Sequence, residues 1–142
     1  MHPLSFDAVL VRLGAAVLVG ALIGLDRQIR NKPAGLRTIA LVSLGSAVFV
    51  ITALEGATAD SASRVIQGIV TGVGFLGAGS IVHGRTEGSV HGLTTAASIW
   101  LAAALGMACG LAYWPIVAGG CGFGVMILVL EPIDHWLKGR VR

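Results

Sequence analysis

Five long runs of apolar residues alternate with short polar connections along the chain of 142 residues. A transmembrane helix needs about 20 predominantly apolar residues to cross the hydrocarbon core of a bilayer. The runs cover residues 8–25, 36–54, 65–83, 93–112 and 114–131, and each meets or approaches that length. We therefore predict an all-α integral membrane bundle of about five transmembrane helices, with residues 1–142 forming a single transmembrane domain and no soluble domain.

The residue composition excludes a soluble globular domain. Apolar residues make up 55% of the chain and charged residues only 12%, whereas soluble domains carry about 25% charged residues. The net charge is +3, but the basic residues lie between the apolar runs and do not form one basic patch. We therefore expect the lipid bilayer as the surroundings of the chain and no nucleic-acid partner.

The distribution of Lys and Arg predicts the orientation of the chain. The first connection, the third connection and the C-terminal tail carry eight basic residues, whereas the opposite connections carry only Arg64. Because basic residues are enriched in cytoplasmic loops, we predict that the N-terminus lies outside and the C-terminus in the cytoplasm. The eight residues are Arg27, Arg30, Lys32, Arg37, Arg85, Lys138, Arg140 and Arg142.

Small residues recur four positions apart along several predicted spans. Residues at i and i+4 share one face of a helix, and small faces let membrane helices pack closely. We predict that these faces form the seams of the bundle; the alternative is that they form the interface of a homo-oligomer. The predicted packing residues are Gly20, Gly24, Gly68, Gly72, Gly74, Gly77, Gly79, Ser98, Ala102 and Gly106.

The third span is unusually rich in glycine, with four glycines between Gly72 and Gly79. Irregular backbone at membrane depth is tolerated only where it is buried in protein or lines a wet cavity. The span is therefore either an ordinary helix in a tightly packed position or a broken helix beside a binding site.

A weak internal repeat relates the first two spans to the next two. Residues 19–22 resemble residues 73–76, and residues 35–40 resemble residues 92–97. A true duplication would make spans one and two a parallel repeat of spans three and four, whereas chance matches are also frequent in Gly- and Ala-rich sequence.

A cluster of polar residues is predicted at the cytoplasmic ends of the spans. Helix N-termini favour anions, so we expect a site at the starts of spans two and four, with Thr94 or Thr95 capping span four. Arg37 would pair with Asp26, or the two would gate an anion or lipid headgroup; the alternative is a structural ion pair with ordinary caps. The candidate residues are Asp26, Arg27, Arg37, Thr38, His91, Thr94 and Thr95.

Arg12 is the one charged residue clearly inside an apolar run. It lies about one turn from the outer end of the first span, so it either extends its guanidinium to the interface or pairs with Asp7.

No catalytic, metal or cofactor site is predicted. Intramembrane carboxylates usually mark an ion pathway, but every acidic residue lies at or beyond the end of a span. The four histidines form no metalloprotease motif, and the two cysteines lie in apolar runs without metal-ligand spacing. The acidic residues are Asp7, Asp26, Glu55, Asp60, Glu87, Glu131 and Asp134.

Four short motifs in order resemble the MgtC/SapB family of bacterial membrane proteins. They are GALIGLDRQ at residues 20–28, KPAGLRT at 32–38, GVGFLGAG at 72–79 and VHGLTTAA at 90–97, followed by Trp100. The resemblance implies a multi-pass protein of the bacterial inner membrane, linked to growth in low magnesium and to survival inside host cells. The sequence departs from the family pattern at Asp26, where Glu is expected, and at His91, where Arg is expected. A further expected departure is the lack of the soluble C-terminal domain that longer members carry.

The family resemblance implies contacts with other membrane proteins, including the membrane sector of the proton-translocating ATP synthase. We therefore expect a regulatory or adaptor protein of magnesium homeostasis and not an enzyme. The main alternative is a small transporter or channel for magnesium or another solute that conducts through the third-span glycines. A further alternative is a subunit that needs a partner to fold.

Overall fold

The computed structural model describes residues 4–56, 59–83 and 90–130, and within them the fold is a bundle of five α-helices. The helices are α1 (Phe6–Ile29), α2 (Leu36–Gly56), α3 (Ala59–Gly79), α4 (Leu93–Gly110) and α5 (Trp114–Val129). Two-residue strands, β1 (Val82–His83) and β2 (Val90–His91), pair antiparallel between α3 and α4. The predicted all-α class is confirmed; the short strand pair was not predicted.

Three of the helices, α1, α2 and α4, are long and apolar enough to cross a membrane, and α5 is a shorter apolar helix. The helix α3 has 21 residues but is less apolar. It begins six residues before the third apolar run. The run starts later because the first turns of the helix include the polar residues Asp60 and Arg64, which an apolar run excludes. The helix ends at Gly79, before the strand pair. Arg85 and the basic C-terminal tail lie outside the described residues, so the orientation stays a prediction, and so does the repeat.

Local sequence signals set the helix boundaries. The side chain of Ser5 accepts a hydrogen bond from the Ala8 amide at the start of α1, and Asp7 lies in the first turn, where a negative charge complements the helix dipole. The left-handed Asn31 (φ 52°) follows the end of α1. Pro115 occupies the first turn of α5, a position that needs no amide donor.

Helix α3 is continuous despite its glycines. The structure therefore does not show the broken helix that was one alternative for this span. It also does not show the tight packing that was expected of an ordinary helix, because four of the five glycines of α3 have open surroundings within the described chain.

Helix α2 lies between α1 and α4 and makes the most extensive contacts in the bundle with these two helices. Helix α3 packs on α4 and α2, and α5 packs on α4 and α1. Fully buried small and β-branched side chains fill the centre. These include Ala16, Ile23, Ile39, Ala47 and Ala102.

Glycine lets the backbones of α1, α2 and α4 approach closely. A Cβ at Gly24 would lie 2.6 Å from the Cα of Leu36, and one at Gly20 would lie 2.8 Å from the Cα of Ala40. On the other side of α2, a Cβ at Gly106 would collide with the backbone of Ser43. The hydroxyl of Ser43 donates to the carbonyl of Ala16 at 2.8 Å, which adds a buried hydrogen bond between α1 and α2.

The glycines of α3 do not form such a seam within the described chain. Around Gly68, Gly72, Gly74 and Gly79, no neighbouring atom lies within 4 Å of an added Cβ, and at Gly77 the nearest is an ordinary contact with Ala96 at 3.6 Å. The expectation of an intramolecular seam on this helix therefore differs from the structure.

Arg12 has a hydrogen-bond partner that the sequence analysis did not predict. Its Nη1 donates to the carbonyl of Gly110 at 2.8 Å, so the guanidinium caps the C-terminal end of α4. Such an end exposes carbonyls and carries partial negative charge, which the positive charge of the guanidinium complements.

We predict that Gly106→Ala destabilises the bundle by about 1–3 kcal/mol, because the added methyl group forces α4 away from α2. The measurement is the free energy of unfolding in detergent. Gly68→Ala is the matched control, because its added methyl group meets no neighbour and it has the same change in helix propensity, and we expect no loss of stability. Equal stability of the two variants would contradict the close approach of α2 and α4.

Candidate functional site

A cavity of about 290 Å³ lies where the end of α1 meets the start of α4. We call it the polar cavity. Most of its lining residues carry charged or hydroxyl side chains, and the described lining contains no acidic residue. The lining is formed by Arg27, Lys32, Pro33, Ser80, His91, Gly92, Thr94 and Thr95.

Arg27 is the buried centre of the polar cavity. It is only 1% exposed, and its Nη2 donates to the hydroxyl oxygen of Thr95 at 2.9 Å. Its burial follows from its position, since Gly20, Ile23, Gly24 and Arg27 share the face of α1 that packs inward. The contact joins the end of α1 to the first turn of α4. It is a strong hydrogen bond, because its donor is charged.

A glycine stands at the N-cap position of α4. Gly92 is the N-cap, with a left-handed φ of 93° and no capping side chain. A Cβ at this position would collide with the carbonyl group of Ser80, so glycine is required here. The expected capping by Thr94 or Thr95 is therefore wrong: Thr95 instead accepts the hydrogen bond from Arg27, and Thr94 is exposed.

A tight turn brings Lys32 back over the end of α1. The Lys32 amide donates to the carbonyl of Arg27 at 3.0 Å, directly after the left-handed Asn31. Sequence reasoning missed Lys32, Pro33, Ser80 and Gly92 as lining residues. Lys32 and Pro33 open one of the four family-like motifs, and that was the available signal, whereas nothing in the sequence marks Ser80.

Asp26 does not pair with Arg37 as expected. Its Oδ1 accepts a hydrogen bond from Arg30 Nε at 2.8 Å, one helical turn away, and residues at this spacing are natural neighbours. Its Oδ2 is buried and has no hydrogen-bond partner among the described residues. Arg37 is exposed at the start of α2. The structure thus brings Arg27, His91, Thr94 and Thr95 together and leaves Arg37 and Thr38 outside the polar cavity.

A second, larger cavity opens between α2 and α3, with a volume of about 780 Å³. We call it the apolar groove. Its lining is almost entirely apolar, with small residues on both helices: Thr38, Leu41, Val42, Gly45, Ser46, Phe49, Val65, Gly68, Ile69, Gly72, Val73 and Leu76. Groups of three or more metal-ligating side chains do not occur among the described residues.

The chain is similar to proteins of known families over most of its length. Residues 13–136 match the family model described as the MgtC family. SrpB of Synechococcus elongatus is 45% identical over 129 residues, which cover 82% of this chain and 71% of SrpB. MgtC of Salmonella typhimurium is 49% identical over 102 residues, which cover 72% of this chain and 43% of that protein.

A third relative is YhiD of Escherichia coli (strain K12), described as a putative magnesium transporter. It is 43% identical over 141 residues, which cover 93% of this chain and 63% of YhiD. The alignments therefore span less than two thirds of MgtC and YhiD. No solved structure matches the chain. The family model that matches is not described as a family of enzymes.

We predict that Thr95→Val destabilises the protein by about 1–3 kcal/mol, because the buried Arg27 guanidinium loses a hydrogen-bond acceptor. Thr95→Ser keeps the hydroxyl oxygen and is the matched control, with a change below about 1 kcal/mol expected. The free energy of unfolding in detergent measures both. A Thr95→Val variant as stable as Thr95→Ser would show that the Arg27–Thr95 contact contributes nothing.

Proposed function

This chain belongs to the MgtC family, and on that premise we propose that it is a regulatory or adaptor protein of magnesium homeostasis in the bacterial inner membrane. It would act by binding other membrane proteins and would support growth in low magnesium and survival inside host cells. The names of the relatives MgtC and YhiD support the magnesium-related role at the level of the family.

This proposal rests on one face of α3, which is formed by Gln67, Gly68, Thr71 and Gly72. Gly68 and Gly72 leave small, open positions along the apolar groove, and Gln67 and Thr71 are exposed beside them. Membrane helices associate through small residues that allow close approach and through polar side chains that bond across the interface. The face of α3 combines both features.

A transmembrane helix of another membrane protein fits this face better than lipid does. An exposed Gln side chain is unfavourable next to acyl chains, because its amide has no hydrogen-bond partner there. A partner helix that donates or accepts at Gln67 and packs its own small residues against Gly68 and Gly72 would satisfy both needs. By family resemblance, the membrane sector of the ATP synthase is the first partner to test, and a second copy of this chain is the alternative.

Transport of magnesium or another solute is the second candidate, favoured by the description of YhiD. Magnesium is usually bound by oxygen ligands, with carboxylates among them. The described acidic residues lie in the first or last turns of helices, at Asp7, Asp26, Glu55 and Asp60. This placement offers no carboxylate at the centre of a span, which is why we favour the adaptor.

We predict that Gly68→Leu combined with Gly72→Leu abolishes growth support in low magnesium while the protein level stays normal. The added side chains would block the face of α3, while the Cβ atom at either position meets no neighbour within the described chain. The measurement is growth of a bacterial strain that depends on this protein in low magnesium, with immunoblots of its membranes.

The matched control is Gly14→Leu combined with Gly122→Leu, because both glycines also have open surroundings but lie on α1 and α5. We expect this control to grow normally. Normal growth of the Gly68 and Gly72 variant at a normal protein level would refute the proposed docking face.

A further inference from the structure

A line of exposed residues on α3 differs in character from the exposed surfaces of α1 and α5. On those two helices the exposed side chains are mainly large and apolar, as at Leu18 and Phe123. On α3 the residues opposite the buried Ile69 and Val73 are polar or small, and each is exposed. We call this line the outward stripe. Its members are Asp60, Arg64, Gln67, Thr71, Gly74 and Ala78.

The spacing of the outward stripe is that of a seam between two helices. Its members follow one another alternately by four and by three residues along nearly the whole of α3. This is the 3.5-residue repeat that keeps one line of a helix against a partner as the two helices supercoil. Small and polar residues are also those through which membrane helices associate. The stripe therefore indicates a second helix in contact with α3.

The polar centre of the outward stripe is complementary to itself. The Gln67 side chain has no hydrogen-bond partner among the residues that the structure describes, and an amide group carries both donors and an acceptor. Two Gln67 side chains that meet across a two-fold axis can therefore satisfy each other, as identical residues do in a symmetric dimer. The Thr71 hydroxyl donates to the Gln67 carbonyl of its own helix at 2.9 Å, and its oxygen can still accept.

The charges of the outward stripe favour a second copy of this chain over another helix. Asp60 and Arg64 have opposite charges, and within the described ranges neither forms an ion pair. Copies of one protein cross a membrane in the same direction, so a two-fold axis makes their α3 helices parallel. Arg64 of one copy then lies about 6 Å along the axis from the level of Asp60 of the other, within reach of its side chain. Symmetry forms this pair twice.

We propose that α3 forms a parallel, symmetric dimer with a second copy of this chain through the outward stripe. Gln67 meets its own counterpart, Arg64 pairs with Asp60 across the interface, and the small surface at Gly74 and Ala78 allows close approach. The proposal rests on the outward stripe and not on the adaptor role. Because Gln67 and Thr71 also belong to the proposed docking face, a partner helix would have to displace the second copy.

The first test is disulfide crosslinking in bacterial membranes that contain the full chain. Single cysteines replace Gln67 or Gly74 in a chain with Cys121→Ala, since Cys109 is buried, and copper phenanthroline is the oxidant. Leu76→Cys is the matched control, because this residue of α3 is 53% exposed but lies off the outward stripe. We expect a covalent dimer from Gln67→Cys and Gly74→Cys, and a loss of the dimer to background at Leu76→Cys.

The second test exchanges the charges of the stripe. Sedimentation of the full chain in a neutral detergent measures the dimer dissociation constant, and thermal unfolding checks that each variant is folded. We expect Arg64→Asp to weaken the dimer about tenfold, because like charges then face each other. The double variant Asp60→Arg with Arg64→Asp should recover to within about threefold of the wild type. Arg37→Asp, at an exposed position on α2, should change the constant by less than about twofold.

Three results would overturn self-association: a folded wild-type chain that sediments only as a monomer, equal crosslinking at Leu76→Cys and Gln67→Cys, or a double charge variant as weak as Arg64→Asp alone. A larger crosslinked product in place of the dimer would also overturn it, because the outward stripe would then belong to another membrane protein. Growth in low magnesium tests the adaptor role separately, so the failure of either proposal is visible without the other.

Discussion

The close approach of α2 to both α1 and α4 is the constraint on which the rest of the structure depends. Helices in lipid gain little from the hydrophobic effect when they associate, so packing distance decides how well they hold together. Gly20 and Gly24 bring α1 against α2, and Gly106 brings α4 against the other side of α2. With α1 and α4 fixed in this way, the end of α1 meets the start of α4, and Arg27 reaches Thr95.

This arrangement divides the molecule into a closed part and an open part. The closed part is the trio of α1, α2 and α4, with fully buried side chains such as Ile23, Ile39 and Cys109. The open part is the face of α3 along the apolar groove, where a Cβ added at Gly68 or Gly72 would meet no atom within 4 Å in the described chain. The proposed docking of a partner helix belongs to the open part, on α3.

Much of the fold was predictable because apolar run length and helix formation depend on local sequence. The helices coincide closely with the runs, apart from α3, whose polar first turns the hydropathy pattern excluded. The site was predictable only in part. Arg27, His91, Thr94 and Thr95 do meet at one cavity, but individual partners depend on helix rotation and turn geometry. For this reason the sequence did not predict that Arg12 donates to a carbonyl at the end of α4 or that Asp26 accepts from Arg30.

The sequence also does not identify the packing partners of small residues. A stripe of glycines identifies a face suited to close packing, yet the stripe does not say whether the partner lies in the same chain. A Cβ added at Gly24 or Gly106 would collide with α2, whereas one added at Gly68 or Gly72 would meet no described atom within 4 Å. Identical spacing thus has two structural outcomes, and the second is the basis for expecting a separate partner.

The central claim is that this protein acts through contacts with other membrane proteins and does not itself conduct magnesium. Its most direct test is Mg²⁺ flux into liposomes that contain the purified, correctly inserted chain, read with an enclosed Mg²⁺-sensitive dye. Our account predicts flux no greater than that into empty liposomes. Flux above that background, lost when Gly74 or Gly77 of α3 is replaced by a bulky residue, would contradict it and establish a transporter.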